Sequence, residues 1–230
     1  MTPHGPVPVA HHPAPPPRTP VPTARTPLPP PPGLLLYARS RALPLTLAAL
    51  VGTALFAVWA AGRLDAYLDP DRRVPVVALA PLLASAVIGT SLYSACDELD
   101  RTAVRPWWPR RLVQLAGLTV LAALLVAPAV LGHAETFGPP AVLRNTLGCT
   151  GLTAAAAVLL GARLSWLPAF AYVSAVYLAS GMARGRAATV WAWPVQPGAQ
   201  GGAWATAVTA FVLGAALYAV RGARPEGGAG

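Results

Sequence analysis

Six long stretches of the sequence contain no Asp, Glu or Arg, and the charged residues lie between or outside them. The stretches are residues 42–62, 74–96, 112–134, 145–162, 164–183 and 187–220. A hydrocarbon core of about 30 Å requires roughly 17 to 25 apolar helical residues. Five stretches therefore have the length of one spanning helix, and the sixth has room for one helix plus a loop. The pattern predicts an all-α, polytopic integral membrane protein with about six transmembrane helices.

Composition supports a lipid environment. The chain is 55% hydrophobic and only 11% charged, with a mean hydropathy of +0.52. A soluble globule of this length needs more polar surface than that. The net charge of +9 comes from arginines at the ends of the predicted spans, where they meet anionic headgroups. These features predict a lipid bilayer as the partner and argue against nucleic acid.

The first 32 residues form a separate region. They hold 14 of the 27 prolines and no acidic residue, a composition that favours extended polyproline II and cannot bury a core. We predict a disordered Pro-rich N-terminal tail at 1–32, a six-helix membrane domain at 33–222 and a short flexible tail at 223–230. Residues 34–40 are either a short interfacial helix or the beginning of the first span.

Arginine counts predict the orientation. With the tail placed in the cytoplasm, eleven arginines fall on inner segments and six on outer segments. This bias favours an even number of spans with both termini cytoplasmic, in a multi-pass protein of the cell membrane.

Catalytic chemistry finds little support in the sequence. Lysine is absent, which excludes a phosphate-binding P-loop and Schiff-base chemistry. Three of the four histidines lie in the tail, and His133 with Glu135 makes too few ligands for a catalytic metal. No acidic residue lies deep in a span, which argues against ion-coupled transport. We therefore expect no enzyme activity, no cofactor and no metal.

The segment between the second and third spans is the most polar part of the membrane domain. It carries acidic residues first and basic residues later, which suits a helix dipole, and Pro106 and Pro109 then end the helix. Its candidate contact residues are Asp97, Glu98, Asp100, Arg101, Thr102 and Arg105. We call residues 97–105 the charged loop. It is either a short surface helix that contacts a cytoplasmic partner or a solvated connection.

Two further features lie near the predicted outer face. Residues 191–198, here called the aromatic segment, combine Trp191 and Trp193 with two prolines, which suggests an interfacial or partly re-entrant segment buried among helices. An aromatic anchor is favoured over a substrate site. Arg144 and Asn145 stand at the head of the fourth stretch, where they either bind an anionic headgroup or face a pore. An arginine near a helix end usually extends toward the headgroups.

This layout resembles the permease subunits of type-2 ATP-binding-cassette exporters. Such subunits have a short interfacial helix, six spans with both ends inside, a cytoplasmic coupling helix after the second span and an aromatic outer segment after the fifth. Residues 34–40, the charged loop and residues 191–197 occupy these places, and Glu98, Arg101 and Thr102 match part of the family's coupling motif, which normally has a glycine before the threonine. The high Arg, Ala, Pro and Gly content also resembles actinobacterial membrane proteins.

The resemblance implies a permease-like subunit of an ATP-driven exporter. It would act as a homodimer or heterodimer, with a separate ATP-binding-cassette ATPase pressing on the charged loop. The alternative is a non-transporting membrane scaffold or sensor that uses the proline-rich tail and the charged loop as docking sites.

The orientation can be tested by labelling. In a background without Cys96 and Cys149, single cysteines at Thr19 and Gly227 should resist an impermeant maleimide in intact cells, whereas one at Asp69 should react. Labelling at either terminus would contradict cytoplasmic ends.

Overall fold

The chain is helical wherever its structure is described. The computed structural model describes residues 43–64, 74–93, 107–133, 138–179, 181 and 185–225, and these contain no strand. The helices are α1 (Leu43–Leu64), α2 (Val74–Ser91), α3 (Trp108–Val126, continued by a 3-10 helix at Ala127–His133), α4 (Pro139–Leu160), α5 (Trp166–Ala179), the short α6 (Ala188–Trp191) and α7 (Gly201–Arg221). The all-α prediction is confirmed for these residues. The predicted N-terminal tail lies outside them.

Within the described ranges, four helices are long and apolar enough to cross a membrane. They correspond to Leu43–Arg63, Trp108–Val130, Pro139–Leu160 and Gly201–Arg221. Two more apolar helices, Val77–Ser91 within α2 and Trp166–Ala179, are shorter. The described structure thus contains four candidate spans, and the count of six stays a prediction.

Helix α4 occupies the centre of the bundle. It packs against α7, α2, α5 and α3, and 67% of its most apolar stretch is buried, against 22% in α1. Yet α4 has the lowest mean hydropathy of the four candidate spans, 1.2. Its buried positions are mostly Gly, Ala and Thr. In a membrane, small side chains let helices approach closely, so a helix rich in them is suited to the interior.

Helices α4 and α7 approach each other closely. A Cβ atom added to Gly214 would overlap main-chain atoms of Gly151, and one added to Gly151 would overlap main-chain atoms of Ala210 and Phe211. The two helices therefore touch backbone to backbone. Only glycine fits on both sides of this crossing, because any side chain would have to push the helices apart.

Buried hydroxyl groups are satisfied mainly within their own helices. Thr119 donates to the carbonyl of Leu115 at 2.7 Å, and Thr146 donates to that of Val142 at 2.8 Å. Ser85 donates to the carbonyl of Leu82 at 2.8 Å and lies 3.5 Å from the Thr153 hydroxyl on α4. These three hydroxyls thereby enter the apolar interior without losing a hydrogen bond, whereas the buried hydroxyl of Thr150 has no partner among the described residues.

Substitution at the glycine crossing should lower stability. Gly151→Ala and Gly214→Ala each place a methyl group against main-chain atoms of the other helix, and overpacking costs about 1 to 3 kcal/mol. We expect both variants to lower the midpoint of thermal unfolding in detergent.

Gly52→Ala and Gly117→Ala are matched controls. Both glycines are exposed within helices, and no described atom lies within 4 Å of the position that a Cβ would take. Alanine is better than glycine inside a helix by roughly 0.5 to 1 kcal/mol, so these variants should be neutral or stabilising. An equal loss in the controls would argue against a special crossing at Gly151 and Gly214.

Candidate functional site

The charged loop and the aromatic segment differ in how far the structure describes them. Asp97, Glu98, Asp100, Arg101, Thr102 and Arg105 all lie outside the described residues. The aromatic segment is described completely, between α6 and α7. The candidate site therefore consists of this segment together with the residues that hold it.

The aromatic segment folds back into the bundle. Helix α6 ends at Trp191, a 3-10 turn covers Trp193–Val195, and an irregular stretch leads to the start of α7. Trp191 is 38% exposed, whereas Trp193 is only 2% exposed. Trp193 is therefore buried among the helices, whereas Trp191 lies at the edge, and the interfacial or partly re-entrant placement stays a prediction.

Helix α4 leaves space for the indole of Trp193 at Gly148, which has no side chain. The indole lies so close to Gly148 that a Cβ there would overlap the ring. At roughly 1.5 Å per residue, Gly148 lies about 13 Å along α4 from Pro139, so the indole reaches well into the bundle. Tyr172 of α5 stacks on Trp193 with ring centroids 6.2 Å apart, and its hydroxyl donates to the carbonyl of Trp191. The ring is thus enclosed by α4 and α5.

Arg144 binds the main chain of the aromatic segment. The side chain is completely buried. Its two terminal nitrogens donate to the carbonyls of Pro197 and Gln196, each at 2.7 Å, and Nε donates to Oδ1 of Asn145 at 3.1 Å. The planar guanidinium suits this arrangement because its donors point in fixed, divergent directions.

Asn145 completes the attachment. Its amide nitrogen donates to the carbonyl of Pro194 at 2.8 Å and to that of Val77 at 3.0 Å. One side chain therefore links α4, the first part of α2 and the aromatic segment. Arg144 and Asn145 together bind three carbonyls in the segment. Non-helical backbone needs such partners at membrane depth, where water is not present to supply them.

The charge of Arg144 is balanced by dipoles. All eight acidic residues of the sequence lie outside the described residues, so no carboxylate accompanies Arg144 in the described part of the chain. Its position near the beginning of α4 is also unfavourable for a cation, because the positive end of the helix dipole lies there. Short bonds to oriented carbonyl oxygens offset both effects.

The expected outward extension of Arg144 is wrong. The fourth stretch appeared to begin at Asn145, which would put Arg144 at the membrane surface. Instead α4 begins at Pro139 after Gly138, and proline is favoured in a first helical turn because it lacks the donor that would be unpaired there. Arg144 therefore lies inside the helix and turns inward. The pair Gly138 and Pro139 was the signal for the earlier start.

The hydrogen bonds of Arg144 and Asn145 attach the aromatic segment to α4. Among the described residues, no group of three or more His, Cys, Asp or Glu side chains could hold a metal ion. Cys149 is a free, buried thiol next to Gly148 in α4. What the site does is fix an irregular, aromatic stretch of chain between α5 and α7.

Removing the guanidinium should release the segment. Arg144→Met leaves the carbonyls of Gln196 and Pro197 without their donor, and each unsatisfied buried group costs about 1 to 3 kcal/mol. A loss of about 2 kcal/mol would raise the population of the opened segment roughly thirtyfold, since 1.4 kcal/mol is about tenfold. A cysteine introduced at the buried residue Ala192 should then react correspondingly faster with a thiol reagent than the same cysteine does in the protein that retains Arg144.

Two further variants serve as controls. Arg186→Met removes an exposed arginine just before α6 and should leave the Ala192 cysteine slow. Arg144→Lys keeps the charge but loses the planar pair of donor nitrogens that binds two carbonyls. We therefore expect an intermediate rate of reaction at the Ala192 cysteine. Equal rates in Arg144→Met and the parent would show that the segment is held by other contacts.

Comparison with known proteins gives no relative: the chain matches no protein-family model, no curated protein and no solved structure.

Proposed function

We propose that the chain is a permease-like subunit of an ATP-driven exporter, embedded in the cell membrane with both termini in the cytoplasm. In this proposal all six apolar helices, α1 to α5 and α7, cross the bilayer. The four candidate spans support the membrane placement directly. The two shorter helices, α2 and α5, both contact the aromatic segment. In this proposal the segment occupies part of the bilayer thickness beside them.

The observation that carries the proposal is the position of the aromatic segment. It lies between the fifth and sixth apolar helices and folds into the bundle, where Arg144 and Asn145 hold it. Subunits of type-2 exporters have an aromatic outer segment at the same point of their layout. A segment fixed there could close the outer end of a pathway.

The centre of one copy is filled. Helix α4 lies between α2 and α7, and its glycines bring the helices into main-chain contact. The proposed export path therefore runs between two copies, or between this chain and a related subunit. This favours a homodimer or heterodimer, as the resemblance implies.

The charged loop is the proposed contact for a separate ATP-binding-cassette ATPase. It connects the end of α2 to the beginning of α3, and α3 begins at the end of the bundle where α7 finishes, as the contact of Arg111 with Ala219 shows. If the C-terminus is cytoplasmic, the loop faces the cytoplasm as well. An ATPase could then act on Glu98 and Arg101 and move α2 and α3.

Co-purification tests this proposal. The full chain is expressed with candidate ATPases, and the retained ATPase is measured for the parent and for Glu98→Ala combined with Arg101→Ala. Losing one member of a buried charge pair costs on the order of 2 to 5 kcal/mol, so partner retention and transport should fall strongly. Membrane insertion should not change, because exposed substitutions usually alter stability by about 0.5 kcal/mol or less.

Arg186→Ala, at the opposite end of the bundle, is the control and should retain the partner. If the double variant binds an ATPase as well as the parent does, the charged loop is only a connection. If no ATPase is retained by the parent, the scaffold or sensor alternative takes the place of the exporter.

A further inference from the structure

One end of the bundle gathers arginines from three helices. Arg111, near the beginning of α3, donates to the carbonyl of Ala219 at 3.5 Å and lies against Gly222, just past the end of α7. The backbone amide of Arg224 donates to the carbonyl of Ala157 at 2.9 Å, and its side chain donates to that of Leu159 at 3.1 Å. The beginning of α3 and the ends of α4 and α7 therefore meet at one end of the molecule.

We call this the basic end. Its arginines are Arg110, Arg111, Arg163, Arg221 and Arg224. All except Arg111 are exposed. The guanidinium of Arg110 lies 4.9 Å from the centroid of the Trp107 ring, and the neighbouring Trp108 is 54% exposed. Arginine and tryptophan side chains thus occur side by side on this surface.

The two ends of the bundle carry different exposed charge. At the opposite end the exposed arginines of the described residues are Arg63 and Arg186, and Arg144 is buried. No carboxylate lies at either end among the described residues, since all the acidic positions fall elsewhere in the sequence. Among the described residues, the basic end therefore presents the larger exposed positive charge, with four exposed arginines against two at the opposite end.

We propose that the basic end binds the headgroups of anionic phospholipids. The charge is of the right sign, and arginine donors match phosphate oxygens. The exposed tryptophan is of the type that settles at a membrane surface. Because these groups project from the ends of apolar helices, they would lie at headgroup depth when the helices cross the bilayer. This inference rests on the membrane placement within the proposed function, but it does not depend on an ATPase.

Within this surface the arginines have different tasks. Arg111 and Arg224 bind carbonyls at the ends of α7 and α4 and hold the three helix ends together. Arg110 and Arg221 are exposed near the beginning of α3 and at the end of α7, which places them to contact lipid phosphates. The second pair can be changed without removing the hydrogen bonds that the first pair makes.

Lipid binding to the purified full chain tests the proposal. The protein is prepared in a neutral detergent, and phosphatidylglycerol or phosphatidylcholine with the same acyl chains is titrated while bound lipid is measured by native mass spectrometry. An arginine near an anionic surface contributes about fivefold to affinity. Arg110→Gln combined with Arg221→Gln should therefore weaken phosphatidylglycerol binding roughly thirtyfold and leave phosphatidylcholine binding unchanged.

Arg63→Gln combined with Arg186→Gln is the matched control. It also removes two exposed positive charges, but from the opposite end, and it should keep the parent's affinity for phosphatidylglycerol. Added salt should weaken binding to the parent more than to the Arg110 and Arg221 variant, because screening acts on the charges that contribute. If both double variants bind phosphatidylglycerol equally weakly, the loss of affinity follows from net charge alone. That result would overturn the proposal.

If the Arg110 and Arg221 variant binds phosphatidylglycerol like the parent, the lipid site lies elsewhere and the proposal fails. Failure to retain an ATPase would leave these lipid measurements unaffected, so the two proposals are separable.

Discussion

The structure depends on one buried arginine and the carbonyls that it binds. Arg144 lies within a helix that is itself at the centre of the bundle, and it donates to Gln196 and Pro197 in a stretch without regular structure. An uncompensated charge in an apolar interior is costly, and so is an unpaired carbonyl. Here the guanidinium and the carbonyls pair with each other. The carbonyls are available because the aromatic segment is irregular and does not use them in helical hydrogen bonds. Without this exchange, the guanidinium and the two carbonyls would be left unpaired in the interior of the bundle.

Small residues make the exchange geometrically possible. Gly148 leaves the space that the Trp193 indole fills, and Gly151 lets α7 contact α4 directly. A helix of larger residues would keep the aromatic segment and α7 at a distance. This explains why the candidate span with the lowest hydropathy is the most buried one: in lipid, packing and hydrogen bonding distinguish the interior, since the surroundings are already apolar.

Arginine has contrasting uses along the bundle. Arg144 is buried and joins two parts of the chain, whereas Arg110 and Arg221 are exposed at the other end. Arg111 and Arg224 have a third role, because they bind carbonyls that have no helical partner at the ends of α7 and α4. The same side chain thus fixes the irregular aromatic segment, binds carbonyls at helix ends and forms a basic surface. The difference is decided by depth and by the acceptors within reach.

The sequence by itself determined the helical class and the apolar stretches. Charges cannot be spread through a lipid-facing helix, so their positions reveal where helices lie without reference to any contact. It also suggested an interfacial or partly re-entrant aromatic segment, because two tryptophans and two prolines stand before the last apolar stretch.

Only the tertiary structure decided what holds that segment. The direction of Arg144 depends on where α4 begins and on which carbonyls come close, and those belong to residues about fifty positions later in the chain. The Gly151 and Gly214 crossing is of the same kind, since neither glycine is distinguished within its own helix until the two helices meet. Local patterns specify helices because their hydrogen bonds are local. Contacts between distant segments require the packed bundle, and the candidate site consists of such contacts.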